Sequence, residues 1–458
     1  MAKYNNNNGG YRGVGLELLA KQGISVGDSI NITTEDGEAS GVLMPRYESA
    51  SEDYVVIKLR SGYNTGIHVE KIKSITKFQK TESARITSSS ITTTTTTPAK
   101  AYEILPAGDD DSLPRVALIS TGGTIASKID YRTGGVYAAL TASELYSLVP
   151  ELACYASIEP EVLLSEYSEN LKPDHWTMIA ENIVEKVKSG KYRGIVISHG
   201  TDTMHYTAAA LSFALQKLPI PIVLVGAQRS SDRPSSDAAL NLLGATIFAI
   251  KSENAGVFVA MHASTSDDTI AFHIGTRVRK NHTSRRDAFE SIDVTPVAFV
   301  KNNGSLEIQK KIEVNLAKRR SDNQIDPKPK FDSRVALLKY HPGFDPKLIT
   351  YATSAGYKVI ILEGTGLGHV SKECFPALQK AIEAGIVVCM TSQCIWGRVK
   401  MTVYDTGRDL LGLGIIPLSD MISETATVKA MWALANTNDI KQVMQENIAN
   451  EISLSIPI

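Results

Sequence analysis

Arg115-Val116-Ala117-Leu118-Ile119-Ser120-Thr121-Gly122-Gly123-Thr124-Ile125-Ala126 is the stretch from which the fold can be read. VALIS, at 116–120, is a continuous apolar run, as expected of a strand buried on both faces of a parallel sheet. Two glycines follow, permitting a tight turn and close approach of backbone N–H groups to a ligand. In an open parallel sheet, ligands bind beyond the carboxyl ends of the strands, so Thr124 would offer its hydroxyl there. The apolar pattern returns as GIVIS at 194–198, PIVLVGA at 221–227 and GVFVAM at 256–261. Helical stretches, such as 174–189 and 206–216, fall between them. Strands alternating with helices predict a doubly wound α/β domain.

A second α/β unit begins near Arg334, with strands VALLKY at 335–340, KVIILEG at 358–364 and IVVCMTS at 386–392. The polar connector at 323–330 holds two prolines and reads as a linker between two lobes. Upstream, residues 1–80 read as a small all-β module. Short β-branched segments at 29–34, 41–47, 54–59, 66–69 and 72–78 are separated by turn formers such as Glu35-Asp36-Gly37 and Ser61-Gly62. Five short strands in so little chain suggest an SH3-like barrel. Residues 81–113 read as a Ser/Thr-rich linker, whose low-complexity Thr92–Thr97 run cannot build a core. The expected domains are therefore a barrel at 1–80, the linker, a lobe with the active site at 114–322, a connector at 323–333 and a second lobe at 334–458.

Composition narrows the function. Of 458 residues, 43% are hydrophobic and 21% charged, ordinary for a globular protein. The formal net charge of -1 gives no global attraction to nucleic acid or anionic lipid. Residues 1–80 carry ten Lys/Arg against nine Asp/Glu, a balance poor for gripping a phosphate backbone alone. A docking role suits this module better than direct RNA contact. No apolar run is long enough to span a bilayer, and the N-terminus has no secretory pattern. Four cysteines lack paired-ligand spacing, which argues against a zinc site and for a reducing, cytoplasmic setting.

A second loop, Ser198-His199-Gly200-Thr201-Asp202-Thr203-Met204, also follows a buried strand directly. It places a hydroxyl and a carboxylate beside the same crevice. Taken alone, Thr201 or Asp202 could simply cap the next helix, and the Thr121–Thr124 segment could be a plain Gly-rich turn. It lacks the lysine of a P-loop and the spacing of a dinucleotide fingerprint.

Together the two loops match the two signature motifs of the type I/II asparaginase family, which the chain resembles from Arg115 onward along most of its length. The resemblance implies a two-lobed α/β fold and hydrolysis of a side-chain amide, with Thr124 as nucleophile. It implies a second polar cluster of Thr201, Asp202 and Lys280, the last through Arg279-Lys280-Asn281-His282-Thr283. Tyr131 matches the flap tyrosine. Ser168 and Glu169, ahead of Trp176, match the substrate end, with Glu169 standing where free asparaginases commonly carry Gln. Gly123 and Gly200 would line the substrate. A threonine hydroxyl is a weak nucleophile and needs a proton acceptor, a role Tyr131 could fill. Lys280 would pair with Asp202 and orient Thr201 toward the hydrolytic water. Asp202 and Glu169 would meet the substrate's ammonium, and Ser168 its carboxylate.

The basic run from Arg277 to Arg286 reads by itself as a solvated or dimer-interface patch. It also resembles the corresponding segment of the D-type subunit family of archaeal glutamyl-tRNA(Gln) amidotransferases, as does the layout of barrel, linker and asparaginase core. That resemblance implies a glutaminase that releases ammonia from glutamine. A partner, the E-type subunit of the amidotransferase, would use the ammonia with ATP and magnesium on Glu-tRNA(Gln). No cofactor is expected in this chain, and a homodimer within a heterotetramer is expected. Two other readings stand beside it. One is a free cytoplasmic asparaginase; the other is an idle scaffold of a tRNA complex, against which the full set of Thr124, Thr201, Asp202 and Lys280 argues.

Overall fold

The computed structural model describes residues 10–35, 37–44, 46, 51–59, 64–77, 113–123, 127–129, 136–138, 149–229, 236–309 and 314–453. The linker expected at 81–113 lies almost wholly outside the described residues. The chain forms two compact units. The smaller comprises 1–108 with 127–137 and 230–236, and the larger holds the remainder.

The smaller unit contains helix α1 (Gly13–Lys21) and five strands: β1 (Ser29–Thr34), β2 (Glu38–Leu43), β3 (Tyr54–Leu59), β4 (Asn64–His68) and β5 (Ile72–Lys77). They form an antiparallel sheet in the order β4-β3-β2-β1-β5. Inward-facing Ile30, Ile32, Leu43, Val55 and Ile57 are fully buried and make its core, with Leu19 of α1 packed among them. The module is thus the expected small β domain, but it is not all β. Its leading helix contains two glycines, which weaken a helical reading of the sequence, yet its Leu side chains have a hydrophobic sheet to cover. Buried Tyr11 locks the module. Its hydroxyl donates to the Met44 carbonyl at 2.9 Å and accepts from the Val56 N–H at 3.1 Å. Burial pushes its pKa up to about 12.

The larger unit begins with β6 (Arg115–Ser120). Next in chain order are β7 (Ser127–Ile129) and β8 (Val136–Ala138), which pair with each other and fall almost entirely in the smaller unit's share of the chain. The larger unit continues with β9 (Ser157–Val162), helix α2 (Pro173–Lys188), β10 (Gly194–Ser198), α3 (Met204–Ala214), β11 (Leu215–Gln216), β12 (Pro221–Val225), α4 (Ala238–Lys251) and β13 (Gly256–His262). Then follow β14 (Thr269–Ile274), a hairpin of β15 (Val278–Lys280) and β16 (Phe289–Ser291), and β17 (Ala298–Lys301) and β18 (Leu306–Ile308). The main sheet has eight strands in the order β18-β17-β14-β13-β12-β10-β6-β9. Strands β13, β12, β10, β6 and β9 pair in parallel, while β14, β17 and β18 extend the sheet antiparallel. The sheet is therefore mixed, parallel from β13 to β9 and antiparallel from β13 to β18. Both faces are covered. Ile119, Ile195, Ile197 and Leu224 pack against α2 and α3, while Leu118, Val196, Val223 and Val225 pack against α4. This explains the unbroken apolar runs.

The second lobe is a four-stranded parallel sheet of β20 (Val335–Lys339), β21 (Val359–Gly364), β22 (Val387–Ser392) and β23 (Ile416–Pro417). The connector before it carries β19 (Asp326–Pro327), paired with β11. Helices α5 (Lys347–Ser354), α6 (Phe375–Glu383), α7 (Asp405–Gly412), α8 (Ser423–Asn436) and α9 (Ile440–Gln445) complete it. The two lobes share a core, in which Trp432 of α8 stacks on Phe213 of α3 at 5.8 Å beside Trp176 and Val428. Cys374 and Cys389 are buried in this lobe.

Candidate active site

β6 and β10 are parallel neighbours with Ser120 opposite Ser198, so the loops leaving them emerge side by side. Thr121 ties them together. Its backbone N–H and its hydroxyl both donate to the Ser198 carbonyl, at 3.0 and 2.9 Å. Gly122 and Gly123 then turn with φ of +121° and +78°, a region L side chains rarely occupy. A Cβ on Gly123 would lie 2.9 Å from the Gly200 nitrogen and the His199 carbonyl, and one on Gly122 would lie 2.1 Å from the Glu166 carbonyl. Only bare backbone fits between the two loops. Thr124 is the next residue. It and Tyr131, which lies between β7 and β8 in sequence, fall outside the described residues.

The second loop is not occupied with capping. The residue at the helix boundary is Thr203, and its hydroxyl donates to the Ser168 carbonyl at 2.7 Å instead of capping α3. Thr201 and Asp202 turn to Lys280 of β15. Its Nζ donates to Thr201 Oγ1 at 2.9 Å and to Asp202 Oδ1 at 2.7 Å. An ammonium only donates, so Thr201 accepts and keeps its own hydrogen for a third partner. The Lys280 side chain is 9% exposed and that of Asp202 68%, so the lysine side chain is mostly buried while the carboxylate faces solvent. Ser168 is buried, and a Cβ on Gly200 would sit 2.8 Å from its Cβ. Glu169 follows on the same short turn (Ser168–Asn170) and is exposed. The structure thus brings Gly123, Ser168, Gly200, Thr201, Asp202 and Lys280 to one end of the parallel strands.

Beneath this loop is a polar relay that sequence reasoning did not find. His199 is 1% exposed. Its Nδ1 lies 2.7 Å from the Gly200 carbonyl and its Nε2 lies 2.9 Å from Thr207 Oγ1. Trp176 Nε1 donates to that same hydroxyl at 3.1 Å. Only one arrangement satisfies every group, because indole N–H only donates and a carbonyl only accepts. Nδ1 carries the hydrogen to Gly200, Thr207 donates to Nε2, and Trp176 donates to Thr207. Burial pushes the His199 pKa down to about 4, against a smaller upward pull from the Gly200 carbonyl. The ring is neutral at neutral pH and serves to hold the Gly200 carbonyl. The signal in the sequence was the His immediately after a buried strand, but the shared Thr207 lies 8 residues from His199 and 31 from Trp176.

The basic run is not a solvated patch at its start. Arg277 is fully buried and Arg279 pairs with Glu424 at 2.6 Å, although Arg285 and His282 are exposed.

This arrangement is of the asparaginase type: two glycine-bearing loops on adjacent parallel strands, with a lysine delivered from a neighbouring hairpin. The family description "Asparaginase, N-terminal" matches residues 115–314, "Glutaminase/Asparaginase C-terminal domain" matches 334–445, and "GatD N-terminal domain" matches 24–77. Among solved structures, the thermostable L-asparaginase from Thermococcus kodakarensis superposes with a TM-score of 0.66 and 33% identity, covering 74% of this chain and all of its own. L-asparaginase I from Vibrio cholerae gives 0.64 and 26% identity, with 75% of this chain and all of its own covered. The D-type subunit of glutamyl-tRNA(Gln) amidotransferase from Pyrococcus abyssi is 47% identical, over 95% of this chain and 97% of its own. That of Sulfolobus acidocaldarius is 44% identical, over 97% and 95%. The chain belongs to the family of glutamyl-tRNA(Gln) amidotransferase D-type subunits.

Proposed function

We propose that the chain is the glutaminase of a tRNA-dependent amidotransferase, hydrolysing glutamine through Thr124. The observation that carries the reading is Lys280 donating to both Thr201 and Asp202 directly beside the Gly123 turn. The Thr124 hydroxyl attacks the side-chain amide carbon of glutamine while Tyr131 receives its proton. Backbone N–H groups of the two loops meet the oxyanion, an interaction whose loss typically costs roughly 10²–10³-fold in rate. The C–N bond then breaks and ammonia leaves with the proton returned. Thr201, held by Lys280, directs its free hydrogen bond at the water that cleaves the resulting ester, which releases glutamate and restores Thr124. Asp202 receives the substrate's ammonium, with Glu169 beside it, and Ser168 meets the carboxylate. The start of α3, an eleven-residue helix immediately after this loop, adds positive potential that suits an anion.

Ammonia so produced serves amidation of Glu-tRNA(Gln) in a complex with the E-type subunit, where ATP and magnesium act. Two copies of each polypeptide and a cytoplasmic setting complete the reading. Among the described residues, no helix is long and apolar enough to cross a membrane. The test is ammonia release from glutamine and from asparagine, by the chain alone and with the partner and Glu-tRNA(Gln). The expected outcome is weak release alone and a rise of roughly 5–150-fold in the full mixture, the span of a coupling of about 1–3 kcal/mol. Thr124→Val should abolish release while the fold survives. Fast asparagine turnover by the chain alone, indifferent to partner and tRNA, would favour a free asparaginase. Activity of Thr124→Val within about tenfold of the parent would exclude Thr124 as nucleophile.

A further inference from the structure

The chain around Lys280 is anchored from one side by the second lobe. The Thr276 hydroxyl donates to the Ala449 carbonyl at 2.8 Å, and its own carbonyl accepts from Thr425 at 2.8 Å. Arg277 donates to the Asn450 carbonyl at 2.8 Å, to Asp420 Oδ2 at 3.0 Å and to Ser453 Oγ at 2.8 Å. Burial would raise the Asp420 pKa, but the Arg277 charge and the Ser453 hydrogen bonds outweigh it and hold the carboxyl below its usual range. Arg279 Nε donates to Glu424 Oε1 at 2.6 Å, and its Nη1 donates to Asn281 at 3.2 Å. Side chains alternate along a strand. Val278 accordingly points the other way, into the core with Ile119, Met261 and Phe289, and Lys280 points to Thr201 and Asp202.

We propose that Arg279 and Glu424 are positioning residues, fixing the hairpin so that the Lys280 ammonium meets Thr201 and Asp202 together. This rests on Lys280 serving hydrolysis, as proposed above. A lysine reaches its target on a flexible four-carbon stem, so the placement of its charge depends on how firmly its backbone is held. Glu424 is a fixed point. It is 8% exposed, and it sits in the first turn of α8, where a carboxylate is favoured by the helix dipole. Arg279 is one peptide bond from Lys280 and is partly open at its own side chain, so it can be changed without dismantling the Arg277 cage. The second lobe thus contributes to the chemistry of the first without touching substrate. A displacement of about 1 Å at a catalytic group typically costs on the order of a hundredfold in rate.

The test uses the full chain, with partner and Glu-tRNA(Gln) wherever the parent needs them, and the variants R279M, R279K, E424Q, R279M/E424Q and K280M. R279M and E424Q should each lower kcat for glutamine hydrolysis by roughly 10–100-fold, with KM within about threefold of the parent. R279K, which can still reach the carboxylate, should recover part of the loss. R279M leaves a buried carboxylate unpaired and should also melt earlier. In R279M/E424Q no charge is left unpaired, so its thermal midpoint should return toward the parent while kcat stays low. If E424Q alone folds, it carries the test by itself. Recovery of kcat in step with stability in the double variant would mean the pair is merely structural and overturn the inference. So would parental kcat in R279M and E424Q while K280M is inactive, which would leave the site reading intact. Parental activity in K280M would take down the site reading and this inference together.

Discussion

Thr207→Val tests the relay beneath the loop that carries Thr201. Valine matches threonine in shape, so no cavity opens, but the hydroxyl that serves both Trp176 and His199 is gone. Thr207 is fully buried. The Trp176 N–H then lacks its acceptor and His199 Nε2 its donor, and both side chains are buried. Each orphaned buried group costs about 1–3 kcal/mol, so the pair costs about 2–6 kcal/mol. At the lower end of the usual conversion for large domains, that is a fall of roughly 4–12 °C in the melting midpoint. Thr207→Ser is the matched control. It keeps the hydroxyl and loses one methyl, worth about 0.8 kcal/mol of burial. Thermal unfolding followed by near-UV dichroism and glutamine-dependent ammonia release should both rank parent, serine variant, valine variant. The activity loss in the valine variant should appear in kcat, because the freed His199 ring no longer fixes the Gly200 carbonyl that precedes Thr201. If serine costs as much as valine, packing and not hydrogen bonding holds the loop, and the relay argument is wrong.

Two further outcomes follow from the same geometry. Burial holds His199 and His273 neutral, with pKa values pushed down to about 4. A depressed folded-state value means the unfolded chain binds more protons, so stability is fully present above pH 6.5 and is lost as pH falls toward 4. For His199 the loss reaches about 3 kcal/mol, so the urea midpoint should drop steadily between pH 6.5 and 4.5 and do so less in His199→Gln; an equal slope in both chains would refute this. Gly123→Ala should lower hydrolysis by roughly a hundredfold or more, since its Cβ would push apart the two loops at 2.9 Å. Parental kcat in that variant would show that the loops need not touch.

The parallel strands were legible because a strand covered on both faces has no polar alternation to obscure it. GIVIS at 194–198 and the strand at 54–59 appear with the bounds read from the chain. The antiparallel extension through β14, β17 and β18 was not read. β14 includes buried His273, whose Nδ1 lies 2.8 Å from Ser291 Oγ, 18 residues on, and a lone sequence segment does not show that partner. Helix α1 was hidden by its glycines and revealed only by the sheet it covers. The loops carrying Gly123 and Thr201 could be placed from their position after buried strands. Lys280 could be placed only through a family resemblance, because its partner Asp202 lies 78 residues earlier. Charge density misled for the same reason at Arg277 and Arg279. Their carboxylates, Asp420 and Glu424, stand 143 and 145 residues downstream, and local composition cannot show that a charge will be caged.

That cage has a consequence for how the protein is made. Arg277 leaves the ribosome 176 residues before Ser453 exists to receive it. Until then the enclosure that Asp420, Asn450 and Ser453 make around the guanidinium is incomplete. A chain that ends before Ala449 contains β6, β10 and both glycine loops, yet lacks the Ala449 and Asn450 carbonyls and the Ser453 hydroxyl that hold Thr276 and Arg277. The anchor of the Lys280 hairpin is therefore complete only when Ala449, Asn450 and Ser453 have all been made.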